Sequence, residues 1–166
     1  RTIWKNKAEK GIILFDEFAK QLKFGNVLGS VEFYYQAIRK QNGAIGIILQ
    51  SINQLPNNST SASILENTQV VYSLNNEKGY DELQKRLNLS SHDLNQLKSI
   101  RNNLTGARKY TEMFIKIGKE SNIFRLEVPK EVYAAYLTDG KENEEIMQLF
   151  EEHQNMEKAI KIFINS

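Results

Sequence analysis

Cysteine is absent from the 166 residues, proline occurs twice and tryptophan once. Without cysteine the chain has no disulfide framework, no thiolate nucleophile and no thiolate metal ligand. A reducing compartment suits that composition, and a cytoplasmic location is expected. No stretch approaches the ~20 consecutive apolar residues of a membrane span. The opening segment, Arg1 to Lys10, is polar and basic and lacks the apolar core of a secretory signal. No Gly-x-Ser-x-Gly nucleophile elbow occurs. His92 and His153 are too far apart in sequence, and too poor in companions, to suggest a metal pair; both are expected at the surface. The chain begins at Arg1 rather than at a methionine, which reads as a piece of a longer polypeptide.

What is present is an ordinary globular composition, 40% hydrophobic and 25% charged. Its length fits a single domain able to bury about two thirds of its unfolded surface. The most informative segment is Gly11-Ile12-Ile13-Leu14-Phe15-Asp16-Glu17. Four large apolar residues without alternation predict a strand buried on both faces, as in a parallel sheet beneath helices. Its C-terminal end, where open α/β sheets bind ligands, delivers Asp16 and Glu17. A carboxylate there suits Mg²⁺ held through water, and its neighbour suits orienting or deprotonating an attacking water. The plainer reading is a strand ending in solvated acids.

A second apolar run, Ala44 to Leu49, predicts a neighbouring strand that ends at Gln50. An amide at that place would reach the same crevice and sense or position a γ-phosphate or its water. Residues 31–40 between the strands have helical spacing, with Ser30 as N-cap and Asn42-Gly43 as the stop. Strand, helix and strand at this distance predict a βαβ unit with a parallel pair. Arg39 and Lys40 end that helix, where cations favour the dipole. Arg39 also suits an arginine finger, since a guanidinium matches phosphate oxygens and stays charged.

Further along, residues 61–67 predict a short helix and 69–74 a third strand. Helices are expected over 77–87 and 91–100, the second with Ser90 as N-cap and Asp93 completing a capping box. Residues 111–118 and 122–128 suggest an antiparallel hairpin. Pro129 starts a helix over 130–137, and a final helix is expected over 142–163. The net charge of +2 is uninformative, but residues 98–130 carry eight basic and three acidic side chains. Solvated faces explain this, and a basic surface toward DNA or a partner is the alternative. Arg101, Arg108 and Arg125 are further basic candidates, with surface salt bridging as their plain reading.

Ile12-Ile13-Leu14-Phe15-Asp16-Glu17-Phe18, Ala37-Ile38-Arg39-Lys40-Gln41-Asn42-Gly43 and Ile47-Ile48-Leu49-Gln50-Ser51-Ile52-Asn53-Gln54-Leu55 together resemble the C-terminal part of type IV secretion ATPases, of the FtsK/HerA-like branch of RecA-type P-loop motors. The likeness is strongest to the TraG/TraC-like conjugative-transfer ATPases and runs from about residue 10 to residue 150. The tail from Ser63 to Tyr72, and Phe114 to Gly118 followed by Phe124 to Tyr136, is also similar. The resemblance implies an α/β, RecA-like fold with a mainly parallel sheet flanked by helices, a C-terminal β-hairpin and terminal helices. It implies Asp16 as the Walker B aspartate for Mg²⁺, Glu17 as the water-activating glutamate and Gln50 as the sensor glutamine. Arg39 falls where related motors place a finger acting on a neighbouring subunit. ATP and Mg²⁺, a hexameric homo-oligomer, other secretion-system subunits at the inner membrane and DNA contact are implied with them.

The Walker A motif, Gly-x-x-x-x-Gly-Lys-Ser/Thr, occurs nowhere in these residues. By the resemblance it precedes Arg1, which makes the chain a C-terminal ATPase-domain portion without its phosphate cradle. Alternatives to a secretion motor are a DNA-translocating coupling protein, a HerA-like motor, or a non-catalytic interaction domain in which Asp16 and Glu17 only cap an element. The chain on its own is expected to bind ATP weakly or not at all. Calorimetric binding at ordinary nucleotide affinity would refute that.

Overall fold

A computed structural model describes residues 10–104, 109–138 and 140–165. The chain divides into two compact units, Arg1–Arg101 with Glu112–Phe124, and Asn102–Thr111 with Arg125–Ser166.

The first unit opens with β1 (Gly11–Phe15), α1 (Phe18–Gln21), α2 (Val27–Ala37) and β2 (Gly43–Ile47). β1 and β2 pair in parallel, from Gly11↔Gly43 to Phe15↔Ile47, as their unbroken apolar runs require. The helix between them starts earlier than expected, with Asn26 rather than Ser30 before its first turn. It tightens into a 3₁₀ turn, Ile38–Gln41, and stops at Asn42, whose left-handed backbone (φ 52°) turns the chain into β2. α3 (Ser59–Glu66) follows, capped by the Asn58 side chain.

Phe18, Val31, Leu55 and Ile64 form the core beneath this pair, with Phe15, Ile45 and Ile47 packed against it. Each such side chain contributes about 1.5–3 kcal/mol on full burial. The expectation that β1 is buried on both faces is corrected here. Ile12 and Leu14 are 70% and 64% exposed, so the apolar run covers a core on one face only. The cause is topological: among the described residues this sheet has two strands, and α2 and α3 cover one side of it.

β3 (Val70–Ser73) is the strand expected after α3, but it does not join the parallel pair. It runs antiparallel to β5 (Tyr110–Ile117), from Val70↔Ile117 to Ser73↔Phe114. β5 turns through Gly118, at φ 57°, into β6 (Glu120–Glu127), which gives the expected hairpin. The α/β class and the parallel pair are therefore observed, while antiparallel pairing outweighs the mainly parallel sheet of the expectation. The β5–β6 pair closes through a short turn, whereas β3 reaches β5 by a long connection through two helices that returns the chain antiparallel.

α4 (Tyr80–Leu87) and α5 (Ser91–Ser99) pack on the inner face of that hairpin through Tyr80, Leu97, Ile100 and Phe114. The capping box at the start of α5 is present, and Asp93 extends it into a buried hub. Its carboxylate accepts from the Ser90 N–H (2.9 Å) and from the ammonium of Lys116 on β5 (3.0 Å), and it also accepts from the hydroxyl of Ser121 on β6.

In the second unit, β4 (Asn102–Asn103) pairs antiparallel with the start of β5. α6 (Lys130–Tyr136), α7 (Gly140–His153) and α8 (Met156–Asn165) follow, burying Ala134, Ile146 and Ala159. The single long terminal helix of the expectation is thus two helices. Gln154 takes a left-handed backbone (φ 51°) that ends α7, and Asn155 caps α8 through its side-chain oxygen to the Lys158 N–H (3.0 Å). Lys109 donates to Glu142 (2.9 Å) and to the Tyr133 hydroxyl (2.9 Å), and the hydroxyl donates on to Glu142 (2.6 Å). The Tyr133 hydroxyl and Lys109 hold the Glu142 carboxyl below its usual range. No described helix is long and apolar enough to cross a membrane.

Burial alone would raise the pKa of Asp93, but Ser121, the Ser90 N–H and Lys116 outweigh it and hold the carboxyl far below its ordinary value. A depressed folded-state pKa stabilises the fold fully above the ordinary carboxylate range, and that stabilisation is lost progressively as pH falls from about 4 toward the much lower folded-state value. Asp93→Ala is expected to cost roughly 3–5 kcal/mol, because Lys116 is left half-buried without its partner. Urea titrations at pH 7 and pH 3 check both points: the loss should be large at pH 7 and smaller at pH 3.

Candidate functional site

The parallel ladder does not stop with the last paired residues. The Ile48 N–H donates to the Phe15 carbonyl (2.9 Å), and the Phe18 N–H donates back to the Ile48 carbonyl (3.1 Å). These two bonds draw the chain after β1 against the chain after β2. Asp16, Glu17, Lys20, Gln50 and Gln54 consequently line one open cleft of about 280 Å³ at the C-terminal ends of both strands. That is just below the ~300–1,000 Å³ of complete small-molecule sites.

The turn holding the two acids is tightly built. Asp16 Oδ1 accepts the Glu17 N–H at 2.8 Å, and the Gln21 amide donates to the Asp16 carbonyl at 2.8 Å. Glu17 sits in the left-handed region, at φ 46° and ψ 44°, which a residue with a Cβ adopts only at a cost. Its carboxylate pairs with Lys20 one turn along α1, and both side chains are solvent-exposed. The strand that delivers the acids also strains the second of them.

On the opposite wall, Gln50 is exposed and its side-chain amide has no partner among the described residues. Its backbone is well held: the Gln54 side-chain oxygen accepts its N–H at 3.0 Å, and Asn76 Nδ2 donates to its carbonyl at 2.9 Å. Gln54 reaches back as part of a capping box with Ser51 on the 3₁₀ turn Ile52–Gln54. Arg86 on α4 closes the far side of that turn by donating to the carbonyls of Ile52 (2.9 Å), Leu55 (2.7 Å) and Pro56 (3.0 Å). Gln54 and Lys20 were not singled out in the sequence. The Ser51…Gln54 capping-box spacing was the available signal for Gln54. The Glu17…Lys20 spacing on a helix was the signal for Lys20.

Asp16, Glu17 and Gln50 are therefore brought together, and Arg39 is not. It lies on the 3₁₀ turn that leads into the start of β2, at the other end of the strand from Gln50. Its guanidinium is exposed and has no hydrogen bond or ion pair among the described residues. Two of the other candidate arginines take structural places. Arg101 donates to the carbonyls of Lys98 and Ile100, and Arg125 lies 4.0 Å over the Tyr110 ring. Arg108 lies outside the described residues.

Residues 1–166 match the TraG P-loop domain. The chain belongs to that family. The family agrees with the conjugative-transfer ATPases that the motifs resemble. Among solved structures, this TraG P-loop domain is similar to VirB4 of Thermoanaerobacter pseudethanolicus, with a TM-score of 0.52 and 19% sequence identity. The likeness covers 75% of this chain and 33% of that one, so the domain spans about a third of that protein's length. It establishes a shared fold. No curated protein matches the chain in sequence.

The oxygen ligands of the cleft fit Mg²⁺ with a nucleotide phosphate in part. Among the described residues no three His, Cys, Asp or Glu side chains converge on a metal site of their own. Mg²⁺ is commonly bound by one or two carboxylates together with water and substrate phosphates, a donor set that Asp16 and Glu17 can supply. The phosphate cradle itself has no counterpart in the sequence. Because Glu17 is left-handed, Glu17→Val should be less stable than Glu17→Gly by roughly 1–2 kcal/mol. Equal urea midpoints for the two variants would show that the turn relaxes without strain.

Proposed function

We propose that the cleft is the water-activating side of an ATP site in a conjugative-transfer, type IV secretion motor. The observation that carries the reading is the convergence of Asp16, Glu17 and Gln50 at the ends of two parallel strands, in a TraG P-loop domain. Asp16 holds Mg²⁺ through its water shell, as the Walker B aspartate. Glu17 accepts a proton from the attacking water and orients it. Gln50 hydrogen-bonds on the γ-phosphate side and reports its presence to the loop behind it. Mg²⁺, when bound with ATP, neutralises charge on the phosphate oxygens.

The phosphate-cradling loop belongs to a part of the parent protein outside these residues. Arg39, exposed and at the far end of β2, is suited to reach a nucleotide held by a neighbouring subunit rather than its own. The family resemblance implies a hexamer with ATP between subunits, which that assignment of Arg39 suits, working with other secretion-system subunits at the inner face of the membrane to move protein or DNA. The cytoplasmic placement rests on the same family reading.

In the complete ATPase, Glu17→Gln should lower kcat roughly 10²–10⁴-fold, the usual contribution of a general base, with nucleotide binding retained. Arg39→Ala should lower turnover only in the assembled oligomer. Steady-state hydrolysis measured beside nucleotide affinity separates these effects. Unchanged turnover in Glu17→Gln would sink the catalytic assignment and leave the acids as a structural cap.

A further inference from the structure

The wall of the cleft that carries Gln50 is not held by its own sheet. β2 ends at Ile47, and Gln50 stands beyond the last ladder bond. Its carbonyl is bound instead by Asn76, 26 residues further along the chain, through a 2.9 Å hydrogen bond from Nδ2. Asn76 is the residue before the 3₁₀ turn Glu77–Gly79, just after β3. It is fixed in two ways. Its N–H donates to the Tyr80 hydroxyl at 3.0 Å, and that hydroxyl donates to Asn75 Oδ1 at 3.1 Å. The Tyr80 ring is buried in the core formed with Leu97 and Phe114. Gly79 is also buried, and a Cβ there would stand 3.3 Å from Asn76 Nδ2. The missing side chain is the space in which the amide lies.

We propose that Asn76 is the positioning residue for Gln50, linking its peptide to the second hydrophobic core of the unit. This rests on the reading of Gln50 as the residue that meets the γ-phosphate. Gln54 binds the N–H before the Gln50 Cα and Asn76 binds the carbonyl after it, so the peptide units on both sides of that Cα are held and its Cα–Cβ bond has one direction into the cleft. The amide beyond that bond has no partner to aim it. A glutamine side chain is rich in rotamers, and a misplacement of about 1 Å in a catalytic group costs about 10²-fold. Asn76 does not line the cleft. Its loss therefore acts on the orientation of Gln50 and not on nucleotide contact.

The test compares Asn76→Ala, Asn76→Asp, Gly79→Ala and Gln50→Ala in the complete ATPase. Asn76→Asp keeps the volume and deletes the donor, so it serves if the alanine variant folds poorly. Both Asn76 variants are expected to lower kcat about 10-fold or more, with KM for ATP within twofold of the parent. Gly79→Ala should give a smaller loss of the same kind, because its Cβ displaces the amide by a few tenths of an ångström. Combined with Gln50→Ala, the Asn76 variants should add nothing. Independently of turnover, hydrogen exchange at the Gln50 and Ser51 amides should rise about 10-fold, while β2 amides are unchanged. Unchanged exchange, unchanged kcat, or losses that multiply with Gln50→Ala each overturn the proposal. If Gln50→Ala itself turns over normally, the sensor reading fails and this inference falls with it. If only the Asn76 variants behave normally, the sensor reading stands and the positioning role is rejected.

Discussion

Two backbone hydrogen bonds past the formal ends of β1 and β2 hold the rest of this arrangement in place. The Ile48 N–H to Phe15 and the Phe18 N–H to Ile48 prolong a parallel ladder into the loops that follow it. In a parallel pair both strands point the same way, so their C-terminal loops emerge side by side. That alone puts an acidic turn and a glutamine loop, 34 residues apart for Asp16 and Gln50, on the same cleft. Below the ladder, Phe18 and Leu55 are buried in one core directly beside the two loops. Displacing either loop would open that core, which makes the cleft geometry expensive to change.

The same pair has two unlike faces. One face of β1 packs on a core, and the other presents Ile12 and Leu14 to solvent. The cleft is lined by the carboxylates of Asp16 and Glu17 and by the amides of Gln50 and Gln54, and the sequence carries no Gly-x-x-x-x-Gly-Lys-Ser/Thr motif.

Away from the cleft, stability is vested in polar hubs that staple helices to strands. Asp93 ties the start of α5 to β5 and β6, and Arg86 ties α4 to the turn behind Gln50. Each is a buried or half-buried charge with at least three hydrogen-bond partners, so removing one partner costs more than the bond it contributes. Arg86 gives the turn behind Gln50 its backing, while the left-handed Glu17 is held within its own turn by Asp16 Oδ1 and by the Phe18 to Ile48 bond.

Local physics made a large part of this legible in the sequence. Unbroken apolar runs specified β1 and β2 as a parallel pair, and adjacent acids after such a run singled out Asp16 and Glu17. The Ser90…Asp93 spacing specified the cap of α5, and the two apolar segments 111–118 and 122–128 on either side of a polar stretch specified the hairpin. Helix ends and partners were not legible, because they depend on groups far away in the chain. Nothing local to residues 69–74 says that β3 pairs with a strand forty residues later. No propensity says that Gln154 takes φ 51° and divides the last helix. Residue order was enough to mark which side chains could do chemistry and which elements would carry them. Only the tertiary structure decided that Asp16, Glu17 and Gln50 share a cleft, that Arg39 stands apart from it, and that Asn76 reaches back to Gln50. Those are distances between segments, and burial and long-range hydrogen bonds set them, whereas spacing along a chain encodes only neighbours on one element.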